Sequence, residues 1–378
     1  MSSTTGVLMG AKKARVEEED ARPLCTDALT EVFHRLPART LVSCRMVCKS
    51  WMSVLSDMHF VYEHLRRSQQ KLLLFANDRA NDRSLAMVLA DASGSMYQLS
   101  RPLLASRSLF VHNSCNGLLC LGDSTGAVEL LNPTTGESVV LPTPMCTAGS
   151  SQFSSCNWHC LGFCQSTKEH KIVHFYPGPH IDSFKVRCEI YTFGGNLWRQ
   201  IGSLHGAPTD RGIHVNGVVY YLTRFRYINS SRINCLNLET EKFNVMMLPP
   251  RKSYGGQCSL AELEERLCLL VVDGVPEALP RTMDILMLDN DDKQNWTHRY
   301  HISLPWLVSS CYFTPKHTLF HDGKIWVQLL ARNLYCYDPS STSEELETAC
   351  PESDFPFSTH KFVESIIPLR HYFINHTQ

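Results

Sequence analysis

The sequence predicts an α+β multidomain chain: a small N-terminal helical segment, then an all-β propeller of six blades. Three observations predict it. Between residues 22 and 66, apolar residues recur at helical spacing. From Lys71 onward this gives way to short β-rich runs, broken by turn signals about every eight to twelve residues. Within that region, a turn followed by an apolar strand recurs at a period near 50 residues, with several strands per unit.

The helical segment is read first. Leu29, Val32, Phe33 and Leu36 fall at i, i+3, i+4 and i+7, one stripe of a helix. Thr26 suits the helix start, and Asp27 and Glu31 put negative charge near its positive end. Pro37 ends it by pushing Leu36 toward extended geometry. Leu41, Cys44, Cys48, Trp51 and Leu55 continue at three- and four-residue steps, which fits more than one further helix.

The repeat decides the architecture of the remainder. Asn116-Gly-Leu-Leu-Cys-Leu, Asn216-Gly-Val-Val-Tyr-Tyr, Arg266-Leu-Cys-Leu-Leu and Asp322-Gly-Lys-Ile-Trp-Val share one shape. A further unit surrounds His159-Cys-Leu-Gly-Phe-Cys, and a weaker one spans Lys71–Leu99. Each unit runs on into a strand, a polar turn and another strand, as in Leu130-Leu-Asn-Pro-Thr-Thr-Gly-Glu-Ser-Val-Val. One sheet cannot bury both its faces, so such units stack radially. Phe362-Val-Glu-Ser-Ile-Ile is expected to return and complete the first blade. The domains read as a disordered tail (1–20), a helical domain (21–66), a propeller (71–370) and a short tail (371–378).

Composition narrows the function classes. The chain has 378 residues, 43% hydrophobic and 19% charged, with a formal net charge of −1. That balance points to neither nucleic acid nor a membrane surface. No run approaches the ~20 apolar residues of a membrane span, and Met1–Gly10 does not read as a secretory signal. The 16 cysteines are scattered through apolar runs, as small buried hydrophobes are, so a reducing compartment is expected: cytoplasm, nucleus or both.

Leu24-Cys-Thr-Asp-Ala-Leu-Thr-Glu-Val-Phe-His-Arg-Leu-Pro, then Leu41, Arg45-Met-Val-Cys-Lys-Ser-Trp and Asp57-Met-His-Phe resemble the F-box in order and spacing. Cys25 and Met58 depart from it, standing where the family usually has proline. The remainder resembles the plant F-box-associated interaction domain, a relative of kelch propellers. Asn113-Ser-Cys-Asn-Gly-Leu-Leu-Cys with Asn132-Pro-Thr-Thr-Gly looks like its opening. Leu161-Gly-Phe-Cys, Glu189-Ile-Tyr-Thr-Phe, Leu236-Asn-Leu-Glu-Thr-Glu-Lys-Phe and Tyr335-Cys-Tyr-Asp-Pro follow in the expected order. The diglycine of a kelch blade is not clear, since Gly194-Gly195 lies in a hairpin turn before Trp198.

The resemblance implies a substrate-recognition subunit of a Skp–cullin–F-box ubiquitin ligase. The F-box would bind the Skp adaptor, and through it cullin and RING subunits, while the propeller holds an unidentified target protein. Such a subunit supplies proximity and no bond-making groups, so neither catalytic residues nor a cofactor are expected. The implied adaptor-binding residues are Leu24, Leu29, Val32, Leu36, Pro37, Leu41, Val47 and Trp51. The sequence alone does not divide them between interface and internal core. Target binding is assigned to blade-connecting loops with Arg224, Phe225, Arg226, Tyr227 and Tyr254. The competing reading is a propeller that binds its ligand, or acts on glycans, outside ubiquitination. Cys156, His159, Cys160, Cys164, His170 and His174 lack the paired-knuckle spacing of a zinc site and read as core, so no metal is expected. No nucleophile elbow or phosphate loop appears.

Overall fold

A computed structural model describes residues 26–373, apart from 78–84, 91–95, 100–108, 124–125, 145–157, 178–184, 207, 209–210, 226–227, 250–256, 274–280, 290–294, 305–316, 331–332, 344 and 351–356. Two compact units divide between Leu36 and Pro37. The first contains helix α1 (Thr26–His34), with Asp27 in its first turn. The second contains three more helices and all the strands.

The helices of the second unit are α2 (Ala38–Cys44), α3 (Lys49–Ser56) and α4 (Met58–Arg67). They are short because each is punctuated. Pro37 lacks an N–H and is the residue before α2. Asp57 ends α3 in an extended conformation and caps α4, its carboxylate accepting from the Phe60 N–H at 3.0 Å.

Four sheets of four strands and one of eight follow among the described residues, and together they make six four-stranded blades. The first joins β1 (Gln70–Asn77), β2 (Leu85–Ala90) and β3 (Met96–Leu99) to the last strand, β24 (Phe357–Val363). The second is β4 (Phe110–Cys115), β5 (Leu118–Gly122), β6 (Val128–Asn132) and β7 (Glu137–Val140). The third is β8 (Trp158–Cys164), β9 (Glu169–Pro177), β10 (Lys185–Thr192) and β11 (Arg199–His205). The fourth is β12 (Ile213–Val215), β13 (Val218–Phe225), β14 (Ile228–Asn237) and β15 (Phe243–Met247). The fifth is β16 (Gln257–Leu263), β17 (Arg266–Asp273), β18 (Thr282–Leu288) and β19 (Trp296–Ser303). The sixth is β20 (His317–His321), β21 (Lys324–Leu330), β22 (Asn333–Tyr337) and β23 (Glu347–Cys350). One parallel pairing, Glu262 with Leu319, links the fifth and sixth.

The first strands of these sheets contact one another in a closed ring: β24, β4, β8, β12, β16, β20 and back to β24. This is the six-bladed propeller the repeat predicts. Closure is made by β24, which pairs antiparallel with β1 from Gln70↔Val363 to Ala76↔Phe357. The returning strand starts at Phe357, earlier than Phe362, because Glu364–Ile367 belongs to a segment anchored beyond the strand.

The turn chemistry explains the repeat. Asn116-Gly117, Asn216-Gly217 and Asp322-Gly323 each hold two successive positive φ values, 53°/79°, 47°/78° and 53°/74°. Two-residue hairpins need this handedness to match strand twist. Burial follows strand position. β5 is buried at every residue and β17 at all but its two ends, since inner strands are covered by a neighbouring blade on both faces. The outer strand β7 alternates half-buried and exposed. Apolar clusters fill the spaces between sheets, as where Met283, Ile285 and Met287 of the fifth meet Ile325, Val327 and Tyr335 of the sixth. A fully buried Leu such as Leu119 contributes about 1.5–3 kcal/mol over an exposed one.

Candidate adaptor and target surfaces

Helices α2–α4 are fastened to the propeller by its C-terminal segment. The Arg45 guanidinium, just after α2, donates to the main-chain oxygens of Leu55 at 2.8 Å and Ile366 at 2.6 Å. Arg39 on α2 pairs with Glu364 at 2.7 Å, and Lys71 on β1 reaches the same carboxylate at 3.3 Å. From α4, the Tyr62 hydroxyl lies 3.3 Å from the Lys168 carbonyl and 3.3 Å from the Tyr372 hydroxyl in helix α5 (Leu369–Phe373). Burial and these contacts raise the Tyr62 phenol above its ordinary range.

The anchored segment is held from the second sheet. Asn132 is fully buried and spends its whole amide. Its Nδ2 donates to the carbonyls of Ser365 at 3.1 Å and Ile367 at 3.0 Å. Its Oδ1 accepts from the backbone N–H groups of Thr134 and Thr135 at 2.9 and 3.3 Å. Gly117 lies so close to this segment that a Cβ there would fall 2.4 Å from the Val363 oxygen.

These contacts define one face of the propeller. Tyr62 meets the β8–β9 turn, and Gly117 in the β4–β5 turn abuts the segment that carries Arg45's acceptor. β13 starts at the equivalent Asn216-Gly217 turn and ends at Phe225, at the far end of its strand.

Several large apolar side chains in the helices and in the turn between α2 and α3 remain uncovered. Met46, Val47 and Met52 are 83%, 63% and 50% exposed, and Val32 on α1 is 47% exposed. Leu41, Leu55, Phe60 and Val61 are buried.

Comparison with known proteins rests on this geometry. A family model described as "F-box associated beta propeller domain" matches residues 62–347, and one described as "F-box domain" matches residues 23–62. The chain belongs to the F-box-associated β-propeller family. A putative F-box protein of Arabidopsis thaliana is 24% identical over 72% of this chain and 75% of its own length. The Arabidopsis F-box protein DOR is 26% identical over 76% and 77%. Among solved structures, TolB from Acinetobacter baumannii is similar at a TM-score of 0.48, with 8% identity, covering 83% of this chain and 73% of its own.

Within this F-box protein, the predicted adaptor residues fall into different environments. Val32, Pro37 and Val47 are exposed, Leu29, Leu36 and Trp51 are half-buried, and Leu41 is fully buried. Leu24 lies outside the described residues. Met46 and Met52 were not among the predicted residues. Met46 sits inside the Arg45-Met-Val-Cys motif, but methionine packs as readily in a core as it faces a partner, so composition does not single it out. Of the predicted target residues, Arg224 and Phe225 end β13, and Arg226, Tyr227 and Tyr254 lie outside the described residues.

The ring of first strands encloses a cavity of about 120 Å³, lined by His112, Arg211, Glu262, His317, His360 and Lys361 among others. Glu262, the one carboxylate lining it among the described residues, pairs with Lys361 at 3.0 Å. Among the described residues it therefore holds no pair of converging acids for general acid–base work.

The cysteine–histidine run of the third sheet is brought only partly together. His159 and His174 stack with ring centroids 4.2 Å apart. His159 Nδ1 lies 3.1 Å from His112 Nε2, and His174 Nδ1 lies 2.9 Å from Glu189 Oε1. Cys160 turns instead to the Gly212 carbonyl at 3.3 Å, His170 to the Asn116 amide at 3.2 Å, and Cys164 to Ser166 at 3.2 Å. Cys156 lies outside the described residues. Burial pushes His112 and His159 well below the ordinary imidazole range and the Cys160 thiol well above its own. A different set, Asp284, His298 and His301 of the fifth sheet, has metal-ligand spacing among the described residues.

Proposed function

We propose that this F-box protein is the substrate-recognition subunit of a Skp–cullin–F-box ubiquitin ligase. Its F-box binds the Skp adaptor, which carries cullin and RING subunits, and its propeller binds the protein to be ubiquitinated. The observation that carries this reading is the exposed apolar set Met46 and Val47, in the turn between α2 and α3, and Met52 on α3, beside polar groups engaged with the propeller. A large apolar side chain left in water on a helix is a docking residue for a groove.

The subunit itself is non-catalytic. It raises the effective concentration of a target lysine near the conjugating enzyme. The rigid fastening of α2–α4 supports that role, since a fixed spacing between adaptor and target is what proximity requires. The target side of the proposal is the blade-connecting loops, with Arg224 and Phe225 at the end of β13 among the residues assigned to it, and Arg226, Tyr227 and Tyr254 outside the described residues. The proposed compartment is cytoplasm, nucleus or both.

The test is co-purification of the full chain with a Skp adaptor, for the native sequence and two variants. One carries charges at Leu36 and Pro37, the other carries Val47→Asp and Met52→Asp. Both are expected to lose the adaptor while keeping the native far-ultraviolet spectrum and melting transition. Folded variants that retain the adaptor would sink the assignment.

A further inference from the structure

We infer that Asp284, His298 and His301 form a binding site for a divalent transition cation of the zinc class on the flank of the fifth sheet. The three side chains offer one carboxylate oxygen and two imidazole nitrogens, all within 4.8 Å of one another. His301 Nδ1 lies 2.6 Å and His298 Nε2 3.0 Å from the same oxygen, Asp284 Oδ1.

The backbone builds this set deliberately. Side chains alternate along a strand, so residues 298 and 301 of a regular strand point to opposite faces. In β19 they do not. The register with β18 steps from Ile285↔Tyr300 to Leu286↔His298, leaving Arg299 as an extra, bulged residue. His301 stands opposite Asp284 and His298 opposite Leu286, and Asp284 and Leu286 share one face of β18. The bulge thus turns both imidazoles onto the side of the carboxylate.

The spacing suits coordination. Two ligands each ~2.0–2.1 Å from a metal and 90–109° apart are roughly 2.9–3.4 Å from each other. The observed separations of 2.6 and 3.0 Å lie within a few tenths of an ångström of that range. Two imidazoles with one carboxylate suit zinc, nickel, copper or cobalt over calcium or magnesium, which take oxygen-only sets. The environment is asymmetric. The Asp284 side chain is 8% exposed, beside the buried Leu286 and Leu288, whereas the imidazoles are 51% and 47% exposed. An anionic ligand at the base of a solvent-facing pair gives a cation an entry path and leaves at least one coordination position for water or for a group on a bound protein.

The experiment is equilibrium dialysis of the full-length chain against zinc, with bound metal read by elemental analysis, for the native chain and a His298→Gln/His301→Gln variant. Both histidines are half exposed, so the variant keeps its fold, and its melting curve verifies this. The native chain is expected to hold one more equivalent of zinc than the variant. A cobalt titration of the native chain should show visible bands that the variant lacks. Equal stoichiometry in the two proteins, or no binding by the native chain, overturns the inference.

Discussion

Arg45 donates a hydrogen bond to the carbonyl of Ile366 at 2.6 Å, joining residues 321 positions apart. The same guanidinium holds the Leu55 carbonyl at the end of α3. One side chain thereby ties the helices to the segment that closes the propeller. Arg45→Ala is expected to lower stability by about 2–4 kcal/mol, since it removes two charge-assisted bonds and strands two carbonyls. Urea unfolding measures the loss. Hydrogen exchange should rise in α2 and α3, and Arg45→Lys should recover only part, because both bonds come from Nη2 and a more strongly hydrated ammonium on a differently shaped side chain must reach the same two carbonyls.

Asn132 makes the corresponding tie from the second sheet. Asn132→Ala removes the donors to Ser365 and Ile367 and the acceptor for Thr134 and Thr135. A loss of about 2–4 kcal/mol is expected for such a buried network. Asn132→Asp, which keeps the acceptor and lacks the donors, should lose nearly as much in a melting experiment. A near-native melting point for that variant would assign the stabilisation to the turn alone.

Gly117 carries two constraints at once, a φ of 79° and a backbone oxygen 2.4 Å from where a Cβ would stand. Gly117→Ala should cost more than Gly323→Ala. Gly323 has a similar φ of 74° but no atom within 4 Å of its Cβ position. Comparing the two variants by thermal unfolding separates conformational strain, about 1–2 kcal/mol, from the collision with the closing segment.

Buried histidines set an acid limit on the fold. Burial holds His170 down at about 3, His214 at about 4 and His360 at about 3, against an ordinary value of 6.5. Between these values the unfolded chain binds more protons than the folded one, so stability rises with pH. The stabilisation is complete above about pH 6.5 and is lost progressively as pH falls toward 4. Each histidine contributes up to about 1.4 kcal/mol per pH unit in that window. Denaturant unfolding at pH 7, 6 and 5 measures the slope, and His360→Gln should flatten it by one proton.

What could be read from the sequence was what short-range physics controls. The stripe of Leu29, Val32 and Phe33 reports a helix because 3.6 residues make a turn, and Leu36, expected on the same stripe, lies two residues beyond the helix end at His34. Asn116-Gly117, Asn216-Gly217 and Asp322-Gly323 report hairpins because few residue pairs tolerate two positive φ values. These two signals, with the spacing of the repeats, were enough for a helical segment and six blades, and the F-box reading came from the resemblance of its motif order. The division of the predicted adaptor residues was not legible. Leu41 and Val47 are both aliphatic and six residues apart, yet one is fully buried in α2 and the other is 63% exposed in the turn that follows it.

The sequence by itself determined which segments are helix, strand and turn, and that the sheets must stack, because these depend on neighbours a few residues away. Only the tertiary structure decided that α2–α4 join the propeller in one unit, through Arg45 and Glu364. It also decided that Asn132 secures the closing segment, and that His298 and His301 share a face with Asp284. Those outcomes depend on ring closure across more than two hundred residues and on one bulged residue, neither of which leaves a periodic trace in the chain.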